Sequence, residues 1–187
     1  VIPELLDEGE KQRTIDELPQ SSDGKTIMTM EPKFIPKDGA LITLAGGEKG
    51  RVRLIDCVGF VVKDAVGYME EDRERMVKTP WSPQEIPFAK AAELGTRKVI
   101  EEHSNIGIIV TTDGSFTELS REQYLEGEER TVSECKKAGK PTIIILNTQD
   151  PYSDQTKRLA EEMEHKYGLS VLPLNCKELK KEDIFSI

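Results

Sequence analysis

Three apolar runs constrain the fold more than anything else in the chain: Ile106 to Val110, Thr142 to Leu146 and Leu169 to Leu174, none of which carries a charge. A strand that is apolar along its whole length has no face to offer water, so it belongs in a parallel sheet covered on both sides. Between and before the runs lie stretches with apolar residues at helical spacing. These are Phe88 to His103, Arg121 to Ala138 closed by Gly139, and Asp154 to Tyr167 closed by Gly168. Helix and strand in alternation predict an α/β class with three layers. Upstream, Ala40 to Leu44 and Val52 to Asp56 flank a Gly-rich turn at 46–50, which predicts a β-hairpin. Its antiparallel pair makes the predicted sheet mixed but mostly parallel.

Composition removes several classes of function. At 187 residues the chain is the size of one domain with a sizeable core, and the expectation is a single domain over 1–187. Lys and Arg number 26 against 35 Asp and Glu, a net charge of -9, with the basic residues scattered rather than gathered in a stripe. Binding to nucleic acid through phosphate neutralisation is therefore not expected. The longest apolar run falls far short of the roughly 20 residues that span a bilayer, so no membrane span is predicted. Cys57, Cys135 and Cys176 stand far apart without a C-x-x-C, and His103 and His165 are isolated, which predicts reduced thiols, no zinc site and a cytoplasmic setting.

The remaining segments read as connections. The first thirty residues, broken by Pro3, Gly9, Pro19 and Gly24, predict a helix end and a long loop, and residues 177 onward a loop and charged tail. A charged stretch from Gly59 to Pro87, interrupted by Pro80 and Pro83, predicts either a partly helical surface excursion or a functional segment.

In parallel sheets ligands sit beyond the carboxyl ends of the strands, so the strand exits carry the functional signal. Asp56 leaves its strand into Cys57-Val58-Gly59, a D-x-x-G. A carboxylate there can hold magnesium through water, and the glycine lets a backbone N–H approach a terminal phosphate. A strand-end Asp capping a turn fits the same residues. The later exits are Asn147-Thr148-Gln149-Asp150 and Asn175-Cys176-Lys177. At a nucleoside triphosphate site these are where side chains meet the base, with Asp150 an acceptor pair for ring N–H donors, although each is also a plausible simple turn. A Thr-bearing loop at 26–29, a hairpin, D-x-x-G, N-x-x-D and N-C-K follow the motif order of translation-factor-like P-loop NTPases. That order predicts their three-layer α/β fold.

Longer words are more specific. Leu18-Pro19-Gln20-Ser21-Ser22-Asp23-Gly24-Lys25-Thr26, Arg53-Leu54-Ile55-Asp56-Cys57-Val58-Gly59-Phe60, Thr79-Pro80-Trp81, Ile86-Pro87-Phe88 and Thr111-Thr112-Asp113-Gly114 make the chain closely similar to the NTPase domain of the stage IV sporulation protein A family, over essentially its whole length. The resemblance implies an ATPase that uses magnesium and ATP, with hydrolysis driving self-assembly into a homopolymeric layer around the forespore, on the mother-cell side. It further implies contacts with other spore coat morphogenetic proteins and with a small membrane-bound anchor peptide, through later domains that this chain lacks. The implied catalytic residues are Thr29, Asp56 and Gly59. Thr29 and Asp56 are the implied magnesium residues, and Asn147, Asp150, Asn175, Cys176 and Lys177 the implied nucleotide residues.

The chain departs from the family pattern in four places. It contains no G-x-x-x-x-G-K-[ST]: Gly24-Lys25-Thr26 looks like the tail of one, but Pro19 occupies the place of the first glycine. The resemblance puts the family's P-loop just before Val1, so the expectation is a chain without its first strand and phosphate cradle, unable to hydrolyse ATP alone; a relative that lost the motif is the alternative. Met30 follows Thr29 where a second Thr is common in the family. Asn147 to Asp150 lacks the Lys of the guanine-specific N-K-x-D; Asp150 could still accept from guanine, so a GTP-specific relative is an alternative to the implied ATP. No Gln follows Gly59 to orient a water, which predicts slow turnover. A structural module with the NTPase fold and no turnover is the competing function.

Overall fold

The computed structural model describes residues 11–12, 32–43, 46–62, 69–70 and 73–187. The hairpin forms as the sequence predicts: β1 (Lys33–Thr43) pairs antiparallel with β2 (Lys49–Asp56), running from Lys33↔Asp56 to Thr43↔Lys49. The register shifts between Ile35 and Ala40. Gly39 sits there at φ 74 with the Arg51 Cγ only 2.9 Å from where a Cβ would stand, so both conformation and space require glycine.

The described residues of the excursion that follows contain strands and no helix: β3 (Met69–Glu70) pairs antiparallel with β4 (Arg73–Glu74), and β5 (Met76–Thr79) with β6 (Ser82–Pro87). Pro80 and Pro83 disfavour a helix, Pro80 in the turn between β5 and β6 and Pro83 within β6, and Val77 and Thr79 favour the strand. α1 (Phe88–Lys98) then runs into a π-helical turn at Val99–His103.

The rest is a parallel unit. β7 (Gly107–Thr112), α2 (Arg121–Lys137), β8 (Thr142–Asn147), α3 (Asp154–Tyr167) and β9 (Val171–Leu174) form a sheet of order β7-β8-β9, in register Ile109↔Ile144↔Val171. Ser120 starts α2 through a capping box in which its N–H donates to Gln123 Oε1 at 2.7 Å. Ser153 caps α3, accepting from the Thr156 N–H at 3.1 Å, and Gly168 ends it at φ 59. The predicted charged tail instead closes with a short helix, α4 (Lys181–Ser186), whose Ile184 is buried.

Two expectations about the sheet are corrected among the described residues. The hairpin is a sheet of its own and does not join the parallel strands. Nor is the sheet covered evenly on both faces. Ile109, Ile144, Leu146 and Val171 pack with Val132 and Cys135 of α2 and Ala160, Met163 and Tyr167 of α3 in a single core. On the opposite face of β7, Ile108 is 42% and Val110 62% exposed. The cause is topological: both crossovers advance in the same direction, and right-handed crossovers then place both helices on the same side. α1 runs beside α2, joined to it by Arg97–Glu134 at 3.1 Å and Arg130–Glu93 at 3.0 Å.

Candidate functional site

The three parallel strands end together, and their exit loops are bonded to one another. At the β7 exit, the Gly114 N–H donates to Thr112 Oγ1 at 3.0 Å and the Ser115 N–H to Asp113 Oδ1 at 2.9 Å. Thr148, at the β8 exit, donates its hydroxyl to the other Asp113 oxygen at 2.6 Å. Gln149 then grips Ser115 twice, its N–H on Oγ at 3.0 Å and its Nε2 on the carbonyl at 2.6 Å. The β9 exit is tied in by the Thr148 N–H on the Leu174 carbonyl at 3.0 Å and the Cys176 N–H on Asn147 Oδ1 at 3.0 Å. Lys177 donates its N–H to Asn175 Oδ1 at 3.1 Å and holds Nζ 5.1 Å from the Phe116 ring centre. Burial alone would push the Asp113 carboxyl up, but the hydrogen bonds from Ser115 and Thr148 hold it below its usual value. Burial pushes the Cys176 thiol up, so it stays protonated at neutral pH.

A buried ion pair braces these loops from beneath. Glu128, 5% exposed, takes Arg121 in a fork, Nη1 at 2.5 Å and Nη2 at 2.7 Å. It also accepts from Thr111 at 2.6 Å and from the Tyr167 hydroxyl at 2.6 Å, so one carboxylate joins α2, β7 and α3. Burial would raise the Glu128 carboxyl, yet the Arg121, Thr111 and Tyr167 bonds keep it below the ordinary value. The Tyr167 phenol is pushed up to about 12 by burial and by donating to Glu128.

The predicted site residues divide into two groups and a remainder. Asn147, Asp150, Asn175, Cys176 and Lys177 come together at the parallel exits, with the Asp150 N–H on Thr148 Oγ1 at 3.3 Å and Asp150 itself exposed. Asp56 and Gly59 lie at the end of the separate hairpin. Gly59 has φ 77 and nothing within 4 Å of its Cβ position, so backbone conformation alone calls for glycine. After it, Phe60 is buried with the Arg130 guanidinium 5.1 Å from its ring centre, and its carbonyl lies 3.7 Å from where a Gly127 Cβ would sit. Val58 and Val61 pack against Val77, Phe88, Ala91 and Ala92. Thr29 lies outside the described residues.

Sequence reasoning missed Asp113, Ser115, Phe116 and the Glu128 cluster. A signal existed for the last: Arg121 and Glu128 stand seven apart, two helical turns, on the face that must pack on the sheet. The described residues contain no group of three His, Cys, Asp or Glu side chains able to cage a metal, and no helix long and apolar enough to cross a membrane. Asp56, half-buried at the end of β2, is a carboxylate, a donor type that suits a hard cation keeping most of its water.

Comparison with known proteins covers the full chain. The family described as "Stage IV sporulation protein A, ATPase domain" matches residues 1–187. Stage IV sporulation protein A of Clostridioides difficile (strain 630) is 50% identical over 184 residues, 98% of this chain. Those of Bacillus anthracis and Bacillus subtilis (strain 168) are 46% and 43% identical over all 187 residues. The chain spans 38% of the length of each of these relatives. No solved structure matches it.

Proposed function

Because the chain belongs to the ATPase-domain family of stage IV sporulation protein A, we propose that it is the nucleotide domain of an ATPase whose hydrolysis drives self-assembly of a spore coat layer. The observation that carries this is the family match from the first residue to the last, at 43% to 50% identity with the named relatives. The reading includes one P-loop NTPase-like domain. In the parent protein it includes polymerisation at the forespore surface on the mother-cell side, with coat proteins and a membrane-bound anchor peptide as partners of other domains.

Within this reading the chain's residues act by holding and orienting. Asp56 would hold magnesium through water, with Thr29 as its second oxygen donor. The ion would supply charge neutralisation at the triphosphate. The backbone at Gly59, with no Cβ in the way, would approach the terminal phosphate. Asn147, Asp150, Asn175, Cys176 and Lys177 form the base end, and the bonds among their loops fix them before nucleotide arrives.

A structural module that keeps the fold without turnover is the competing reading. Titration calorimetry of the full-length protein with ATP and with GTP in magnesium separates the two. ATP binding that is weakened by Asp56→Asn is the expected result. Absence of binding by either nucleotide would leave the structural module standing.

A further inference from the structure

The geometry points to Phe116, braced by Lys177, as the stacking platform for the purine base of the nucleotide. The inference rests on the nucleotide-domain reading above and adds to it a residue that none of the sequence motifs contains.

The argument starts at position 148, where guanine-specific relatives place a lysine whose stem covers the base. Here Thr148 is 1% exposed and spends its hydroxyl on Asp113 at 2.6 Å. It points into the protein, so no side chain from that position can lie over a base. Position 116 supplies what is missing. Phe116 follows Ser115, and Ser115 is bonded twice by Gln149, the residue before Asp150. The aromatic ring and the exposed carboxylate therefore each stand one residue beyond a hydrogen-bonded pair, at the same edge of the sheet.

Lys177 connects the third exit to this pair. Its Nζ lies 5.1 Å from the Phe116 ring centre, while its own N–H is held by Asn175. A cation over one face of an aromatic ring leaves the ring half-buried but not enclosed, and Phe116 is partly open to solvent. A flat base can stack on the uncovered part of the ring with its edge toward Asp150. The Cys176 N–H is not available to read that edge, because Asn147 Oδ1 already accepts it at 3.0 Å. An aromatic platform tolerates any base, so stacking supplies affinity and Asp150 supplies what discrimination there is.

The test uses the full-length protein in magnesium and compares two ligands, ATP and inorganic tripolyphosphate, which has the phosphates without a base. For Phe116→Ala and for Phe116→Leu, the affinity for ATP should fall roughly 5- to 100-fold while that for tripolyphosphate stays within about twofold. Phe116→Tyr should bind ATP like the wild type. Leucine keeps the apolar volume and removes only the stacking face, so wild-type ATP binding by Phe116→Leu would overturn the platform. Equal losses for both ligands would likewise overturn it, since they would mark a packing role. Wild-type protein that binds neither ligand would sink the nucleotide-domain reading and this inference with it. Wild-type protein that binds ATP, with variants that bind it equally well, would sink this inference alone.

Discussion

The two regions that carry the candidate residues are held by different means. At the parallel exits, polar side chains do the holding: Asp113, Thr148, Ser115 and Gln149 bond three loops to one another, and beneath them Glu128 gathers Arg121, Thr111 and Tyr167. Around the D-x-x-G, apolar contact dominates. Val58 and Val61 pack on Val77, Phe88, Ala91 and Ala92, and Phe60 lies between Arg130 and the glycine face of α2. Directional bonds fix distance and angle, whereas apolar packing tolerates sliding. The parallel exits are therefore built to keep one geometry, whereas the apolar contacts around Phe60 and Val61 set distance and angle less tightly.

Removing the keystone is the strongest way to break this contrast. Glu128→Ala leaves Arg121 charged beneath the loops, with a side chain only 14% exposed, and should cost about 3–5 kcal/mol. Amide exchange should accelerate in β7 and α3 before it does in the β1–β2 hairpin. Replacing both partners, Arg121→Met with Glu128→Leu, should recover part of the loss, because no unpaired charge then remains while the Thr111 and Tyr167 hydroxyls still lack their acceptor. Uniform acceleration across the chain would show that the two regions open together.

A smaller cut tests the loops alone. Thr148→Val preserves shape and removes the hydroxyl that Asp113 accepts, a hydrogen bond to a charged group worth roughly 1.5–3 kcal/mol. Exchange should rise at 113–115 and 147–150 while the Val77 and Phe88 cluster stays protected. A loss of protection there as large as at the loops would refute independence.

How much of this is legible in the sequence depends on whether the signal is local. The helices carry a repeat of 3.6, the parallel strands are unbroken apolar runs and the hairpin has its Gly-rich turn; the helices and parallel strands lie within a few residues of their predicted places, while β1 begins at Lys33 rather than Ala40. Coverage of the sheet was misjudged because an apolar strand does not say which way its crossovers run; the order β7-β8-β9 does, and it is a tertiary fact. The exits were read from Asn147, Asp150 and Asn175 but not from Asp113 or Thr148. A Thr-Asp hydrogen bond between residues 35 apart has no sequence period. For the excursion the sequence leaves a partly helical surface segment and a functional one both open; its described part is extended, in keeping with Pro80 and Pro83.

Acidity probes the same contrast with a gentler effect. Glu128 and Asp113 titrate below their unfolded values, so their contribution is fully present above the ordinary carboxyl range of about 4 and is lost as pH falls through the lower folded values. Tyr167 is raised, so its contribution is present below an unfolded value near 10 and lost as pH climbs through about 12. Exchange protection of the parallel unit should fall at both ends, and Tyr167→Phe should remove the alkaline limb. An unchanged alkaline limb in that variant would assign it to another group.

The smallest expected effect bears on the two faces of the sheet. Val110→Thr and Val171→Thr are the same isosteric exchange in β7 and β9, at residues 62% and 5% exposed. At Val171 the new hydroxyl enters the core between α3 and the sheet and should cost about 1–3 kcal/mol by chemical denaturation. At Val110 it meets water, and the cost should stay within about 0.5 kcal/mol. The comparison can be repeated in the full-length protein, where 62% exposure at Val110 is no longer guaranteed. A cost at Val110 that is small in this chain and rises to the Val171 level in the longer protein would mean that another segment covers the β7 face, and the asymmetry of the sheet would then be a property of this chain alone.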